Sequence, residues 1–455
     1  MPCPSTRPLA PALVLLLGCV PGGSETSSAS GSTSSETTSA TETSMSGTDS
    51  TDATTGSSTA GTDTDVSTAG TSTAGTSTAG TSTAGTSTDG TSTAGTSTDG
   101  TSTESTSGTT EDTTDGSTTS TPLECEGVVH FKDPLIDAKI RTLLKIEDEP
   151  ITGELLATLT EFGLGNANGL VYSLEGFECA VGLNYFHLGG HHGGNQDFLA
   201  PISGLVQLEH LSLSGIYVGD LSYIAGLTNV THLSLDQSDV DDLSPLVGMN
   251  ALVDLDLSHT TVADLSPIAG LSSLEEIAAN YTSVTNLSPL VGLTGLVSLE
   301  ISNTEVADLE PLAGLTNLTT LRASDTMISD LSPLAGLKKL EALAIDNTTA
   351  NKLAPLKDLP IRVFSAIACG ITDVTTLASW DTPGHFNLSY NAIKDLSPLT
   401  GVDWKAIDEC GILDLEGNPL TLASLGQITT LCAETKVNIL AEGALCTGAI
   451  LCPGP

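Results

Sequence analysis

Between Leu208 and Leu340 the apolar residues of this 455-residue chain fall on a grid with a period of 22. One unit carries Leu318, Leu321, Ala323, Ile328, Leu331, Leu334 and Leu337. The unit before it carries Leu296, Leu299, Ile301, Val306, Leu309, Leu312 and Leu315. Units open at Leu208, Val230, Leu252, Leu274, Leu296, Leu318 and Leu340 without a gap. A looser unit opens at Leu183 and holds the insertion "GGHHGGNQDF". Beyond Leu340 the spacing slips by one, resumes at Ile361 and Pro383, and closes on "LDLEGNPL" from Leu413. So short a unit cannot cover its own leucines. Each must be covered by its neighbours, which makes the chain a solenoid.

Within a unit, L-x-x-L-x-L predicts a short strand with one face inward. One strand per unit, stacked at about 4.8 Å, gives a parallel sheet on the concave side. The second half, as in "DLSPLAGL", predicts a short 3₁₀ turn on the convex side, with Ser as its cap and Pro at its first helical position. Eight residues into the units a small polar residue recurs: Ser238, Thr260, Thr282, Thr304, Thr326, Thr348, Cys369, Asn391, Asn418. Each is expected to serve the carbonyls of a buried corner. A column of acids and one amide, Asp220, Asp242, Asp264, Asn286, Asp308, Asp330, Asp373 and Asp395, is expected to accept local N–H bonds as Asx turns. Calcium bridging is the alternative.

The formal net charge is −41, and no Lys or Arg occurs between Lys145 and Arg322. A phosphate backbone needs a basic face, so a nucleic-acid partner is excluded. From Val20 to Pro122 the chain is almost entirely Ser, Thr, Gly, Ala, Asp and Glu, with six TSTAG or TSTDG pentapeptides between Thr71 and Gly100. Such a stretch has too few large apolar side chains to offset its ordering entropy and is expected to be a disordered tether. A flexible coil of about 100 residues spans roughly 55 Å. Arg7 and the apolar run Leu9–Leu17 have the form of a signal peptide too short to span a bilayer as a mature helix.

Two resemblances follow. Leu16-Leu17-Gly18-Cys19 resembles a bacterial lipobox, which implies cleavage before Cys19 and acylation there; ordinary secretory cleavage nearby is the alternative. The repeats resemble leucine-rich repeats, specifically the 22-residue bacterial class found in internalins. "FKDPLIDAKIRTLLKIEDEPITGELLATLTEF" is similar to the helical cap that precedes such repeats. There "DPLIDAKIRTLLK" is expected to be an amphipathic helix turning Leu135, Ile136, Ile140, Leu143 and Leu144 to the first repeat. The organisation expected is a signal peptide (1–18), a tether (19–122), an N-terminal cap with a degenerate repeat (123–182), leucine-rich repeats (183–404), and a last repeat with a C-terminal cap (405–455). The fold class is an α/β solenoid: a curved array with a parallel concave sheet and short 3₁₀ turns. The family implies a non-catalytic, exported protein, here a monomer without cofactor, lipid-anchored to the bacterial envelope at the outer membrane or cell surface. It implies binding of a protein or glycan by the concave face. A structural spacer is the alternative.

Six cysteines lie toward the two caps, where exported repeat proteins lack a covering neighbour. Of 15 possible connectivities, the pairing expected is Cys125–Cys179, Cys410–Cys432 and Cys446–Cys452, with a zinc site as the rival reading; Cys369, on the polar ladder, is expected buried and reduced. No G-x-S-x-G, H-E-x-x-H or P-loop occurs. Outward strand positions, expected at two, four, six and seven residues into each unit, gather the candidate binding residues His210, His232, Asp254, Asp256, Glu276, Tyr281, Glu300, Arg322, Asp325 and Asp346. His210 and His232 fall on adjacent rungs with His187 diagonal to them, a ligand set suited to a weakly held divalent metal. His191 and His192 in the insertion are further donors.

Overall fold

The computed structural model describes residues 125–165, 170–190, 192–193, 197–218, 220–380, 384–402, 411–434, 437–441 and 444–446. The expected signal peptide, Cys19 and the tether lie outside them. The chain first forms α1 (Pro134–Leu144) and α2 (Gly153–Leu156). Pro134 opens α1, where its missing N–H costs nothing. The Asp133 carboxylate accepts from Leu135 N and Ile136 N at one oxygen and from Tyr172 N at the other, so a fully buried carboxylate is satisfied. Ile136 and Ile140 are buried and Leu135, Leu143 and Leu144 pack partly buried against the core, as the helical period requires.

Strands follow at β1 (Glu161–Leu164), β2 (Tyr185–Leu188), β3 (His192–Gly193), β4 (His210–Ser212), β5 (Ile216–Tyr217), β6 (His232–Ser234), β7 (Asp254–Asp256), β8 (Glu276–Ala278), β9 (Ser298–Glu300), β10 (Thr320–Arg322), β11 (Ala342–Ala344), β12 (Val363–Ser365), β13 (His385–Asn387), β14 (Gly411–Asp414), β15 (Val437–Ala441) and β16 (Ala444–Cys446). Except for β3 and β5, they form one sheet in chain order, parallel until β15 and β16 close it as an antiparallel pair. The register is 22 from β4 to β11 and 21 from β11 to β12, where the sequence period slips. Leu299, Leu309 and Leu321 are buried with every other leucine of the grid between Leu296 and Leu337. α3 (Leu422–Glu434) precedes the closing pair. β3, in the insertion, pairs in parallel with β5 of the next unit as a separate two-stranded sheet, which the period did not predict. The central rungs have aliphatic cores. The large aromatics gather toward the ends, as Phe131, Phe162, Phe177 and Phe186 in one cluster and Phe364, Trp380 and Phe386 in the other.

Two expectations are corrected. Ser does not cap the 3₁₀ turns. In the turns Ser244–Leu246 and Ser266–Ile268 it is the first helical residue, and its N–H is taken by the carboxylate two residues earlier. The whole column behaves this way: Asp220, Asp242, Asp264, Asn286, Asp308, Asp330, Asp373 and Asp395 each accept the backbone N–H two residues on. A side chain two residues upstream reaches that N–H where a Ser hydroxyl, already inside the turn, cannot. Second, positions six and seven are not strand. Each repeat strand from β4 to β13 apart from β5 spans three residues, and position seven adopts the left-handed region at Gln237, His259, Tyr281, Asn303, Asp325, Asn347, Ala368 and Tyr390. This turns the chain out of the sheet while its N–H still donates to the next rung, as Tyr281 N does to Ser302 O.

Apart from Ser238, whose buried hydroxyl has no hydrogen-bond partner, the polar ladder serves the corners as expected. Thr260, Thr282, Thr304, Thr326 and Thr348 donate Oγ1–H to the carbonyl three residues back. Asn391 and Asn418 each serve two rungs. Buried, unpaired Cys369 donates its thiol to Ile345 O. Cys125 and Cys179 form the expected disulfide. Cys410 and Cys452, and the side chains of Cys432 and Cys446, lie outside the described residues, and the other two expected bridges with them.

Candidate functional site

Because side chains alternate across a strand, residues one and three of each three-residue strand project from the open face while the middle one enters the core. Two columns result. One runs Tyr185, His210, His232, Asp254, Glu276, Ser298, Thr320. The other runs His187, Ser212, Ser234, Asp256, Ala278, Glu300, Arg322. Between them lies a trough of about 290 Å³, with Tyr185, His210, His232 and Asp254 on one wall and Ser212, Ser234, Asp256, Ala278 and Glu300 on the other.

At one end the rings stack along the rungs. Tyr185 and His210 have centroids 5.9 Å apart, His210 and His232 4.2 Å. Thr231 Oγ1 donates to Glu209 O and therefore accepts from His232 Nδ1–H, which leaves Nε2 as the acceptor nitrogen. Burial, and then His210 beside it, hold the His232 pKa below its ordinary value, against the pull of Glu276. His187 is lowered by burial and bonds to Ser212 Oγ.

At the other end the carboxylates crowd. Burial pushes Asp254, Asp256 and Glu276 above the usual carboxylate range, reinforced by Asp256 at Asp254, by Asp236 and Glu300 at Asp256, and by Asp254, Glu275 and Glu300 at Glu276. The Ser258 bonds pull Asp256 the opposite way, and more weakly. The one cation on this stretch is Arg322, whose Nη1 lies 2.8 Å from Glu300 Oε1. Asp254, Asp256 and Glu276 have no ion-pair partner among the described residues.

The expected residues therefore divide. His210, His232, Asp254, Asp256 and Glu300 line the trough, with Glu276 and Arg322 beside it. Tyr281 sits on the left-handed column, more than half exposed and stacked on His259, which pairs with Asp236. Asp325 lies on that column and accepts from Asn347. Asp346 lies outside the trough lining and bonds to the next rung. Position six forms a rung-to-rung ladder in which Asn280, Ser302, Ser324 and Asp346 accept the N–H of Ser302, Ser324, Asp346 and Ile367. His187, His210 and His232 are not gathered into a metal centre. Among the described residues no three His, Cys, Asp or Glu are arranged so that they could hold a metal ion, and His210 and His232 present faces to each other. His191, and the side chain of His192, lie outside the described residues. Tyr185 and Ala278 are trough residues that the sequence reading did not select. Ala278 was detectable as the one small apolar side chain among acids in its column.

No protein-family model and no curated protein sequence matches the chain. Solved structures do. An internalin, InlF, of Listeria monocytogenes is 26% identical with a TM-score of 0.62, covering 68% of this chain and 88% of its own. Internalin C2 of the same organism is 28% identical with a TM-score of 0.45, covering 47% of this chain and 94% of its own. The described solenoid is a leucine-rich-repeat array similar in fold to that internalin.

Proposed function

We propose that the chain is an exported, lipid-anchored binding protein whose repeat array holds a protein partner on the open face of its sheet, with the Ser/Thr-rich segment as a spacer from Cys19. The observation that carries this reading is the trough. It places five ionisable side chains, His210, His232, Asp254, Asp256 and Glu300, from four rungs around one shallow cavity, and Asp254, Asp256 and Glu276 have no ion-pair partner among the described residues. A solenoid stabilised only by its grid of leucines does not need such a face. The few exposed aromatics there are Tyr185 and, on the adjoining column, Tyr281 and Tyr390. Large aromatic anchors usually dominate tight interfaces, so charge carries more of the recognition here. No described helix is long and apolar enough to cross a membrane.

The test uses the full chain and intact cells. Replacing Asp256, Glu276 and Glu300 together by Lys abolishes capture on a binding protein. A spacer is indifferent to that change and loses its effect when the tether is shortened. Separately, Cys19→Ala moves the protein from the membrane to the soluble fraction; retention at the membrane sinks the lipid anchor.

A further inference from the structure

The trough changes character along its length. Its first rungs offer a ring stack, Tyr185 on His210 on His232. The wall opposite carries the hydroxyls of Ser212 and Ser234, each hydrogen-bonded to Ser214 Oγ. Its last rungs offer carboxylates around a gap. Ala278 lies between Asp256 and Glu300 in one column, and Asp254 faces them from the other. With neighbouring rungs about 4.8 Å apart, a methyl group at Ala278 leaves a seat roughly 10 Å wide between the two flanking backbones. The chain shows what these groups accept: one rung further on, the Arg322 guanidinium engages Glu300. The seat beside it has acids on three sides and no cation, and the sequence supplies none from Lys145 to Arg322.

We infer that the trough binds an extended polypeptide segment bearing arginine or lysine, its cationic head over Ala278 between Asp254, Asp256 and Glu300 and its flanking residues along the Tyr185–His210–His232 stack. This rests on the binding reading above and names the partner's chemistry. The span from Tyr185 to Ser298 crosses five rung intervals, about 24 Å, which suits roughly seven extended residues. Crowding of the carboxylates, whose proton affinity is raised by burial and by one another, is relieved when a cation enters. A neutral glycan offers no such relief.

The test is calorimetric titration of the full chain with a heptapeptide of alternating Arg and Ser, and with the same peptide carrying uncharged citrulline for Arg. The Arg peptide binds at least tenfold more tightly, and its affinity falls with added salt. Asp254→Asn with Asp256→Asn weakens it tenfold or more. So does Ala278→Leu, which fills the seat without altering charge. Glu305→Gln, exposed and outside the trough, changes it less than twofold. Thermal melts establish that each variant is folded. Equal loss from Glu305→Gln and the double Asn variant reduces the effect to diffuse charge and overturns the proposal, as does unchanged affinity in folded Ala278→Leu. If the Arg peptide fails while an oligosaccharide binds and is lost in the same trough variants, the cationic partner is wrong and the binding reading stands. If no probe responds to the trough variants and the triple Lys variant still captures cells, both fall.

Discussion

At the scale of single residues, the eighth position shows how little chemistry each rung spares. Thr304 donates to Ile301 O at 2.7 Å in a buried corner. Thr304→Val keeps the shape and orphans that carbonyl, so a loss of about 1–2 kcal/mol is expected in denaturant unfolding. Ser238 is the exception in the ladder: its buried hydroxyl has no partner. In the neighbouring rungs Thr hydroxyls donate to the carbonyl three residues back, so Ser238→Thr, with its hydroxyl donated to Leu235 O, should gain about 0.5–1 kcal/mol. The trough acids run the other way. Their folded-state proton affinities are raised, so the ionised forms weaken the fold at neutral pH. That penalty begins to lift as pH falls through the raised folded values and is gone below the ordinary carboxylate range. His187 and His232, lowered in the fold, oppose this, because stability drops as pH falls below the ordinary imidazole value. The difference between two proteins isolates the acids. Asp254→Asn with Asp256→Asn should melt above the parent at pH 7, with the gap closing by about pH 4. A gap independent of pH contradicts this origin.

At the scale of the element, a three-residue strand and a one-turn 3₁₀ segment have no stability alone, and local hydrogen bonds fix where each begins. The Asx column is the device. Asn286 performs the same task as its acidic neighbours, through Oδ1 to Ser288 N at 2.9 Å. Asn286→Ala should therefore cost about 1 kcal/mol, the usual worth of a lost cap, while Asn286→Asp should cost little. Since the backbone already occupies these oxygens, EDTA should leave the melting temperature unchanged; a fall on chelation would favour calcium bridging. The strands themselves were readable from the leucine pattern. The left-handed column was not, because Gln, His, Tyr, Asn, Asp and Ala share that position without a common residue. The signal present was the glycine at Gly215 and Gly417 and the Asn and Asp among the others, residue types that tolerate this conformation best.

At the scale of the whole molecule, stability in a stack is a sum of rungs and their interfaces, so the ends need covers. Here they are α1 with the Cys125–Cys179 bridge at one end and α3 with β15 and β16 at the other. Uncompensated charge acts along the same stack. Raising ionic strength from about 10 mM to about 150 mM shortens the Debye length from roughly 30 Å to 8 Å, and the melting temperature should rise with it; a flat response would mean that the acids are too well solvated to repel.

The sequence by itself determined the solenoid, its period, the slip after Leu340, the outward columns and the excess of negative charge, because these follow from which side chains alternate and which recur. Only the tertiary structure separated Asp256 from Asp346. Both are acids that directly follow a buried aliphatic residue, Leu255 or Ile345, yet one lines the trough while the other is committed to Ile367 N and Ser365 Oγ on the next rung. That difference depends on what the neighbouring rung places within 3 Å, and a contact between rungs is written in no single stretch of chain.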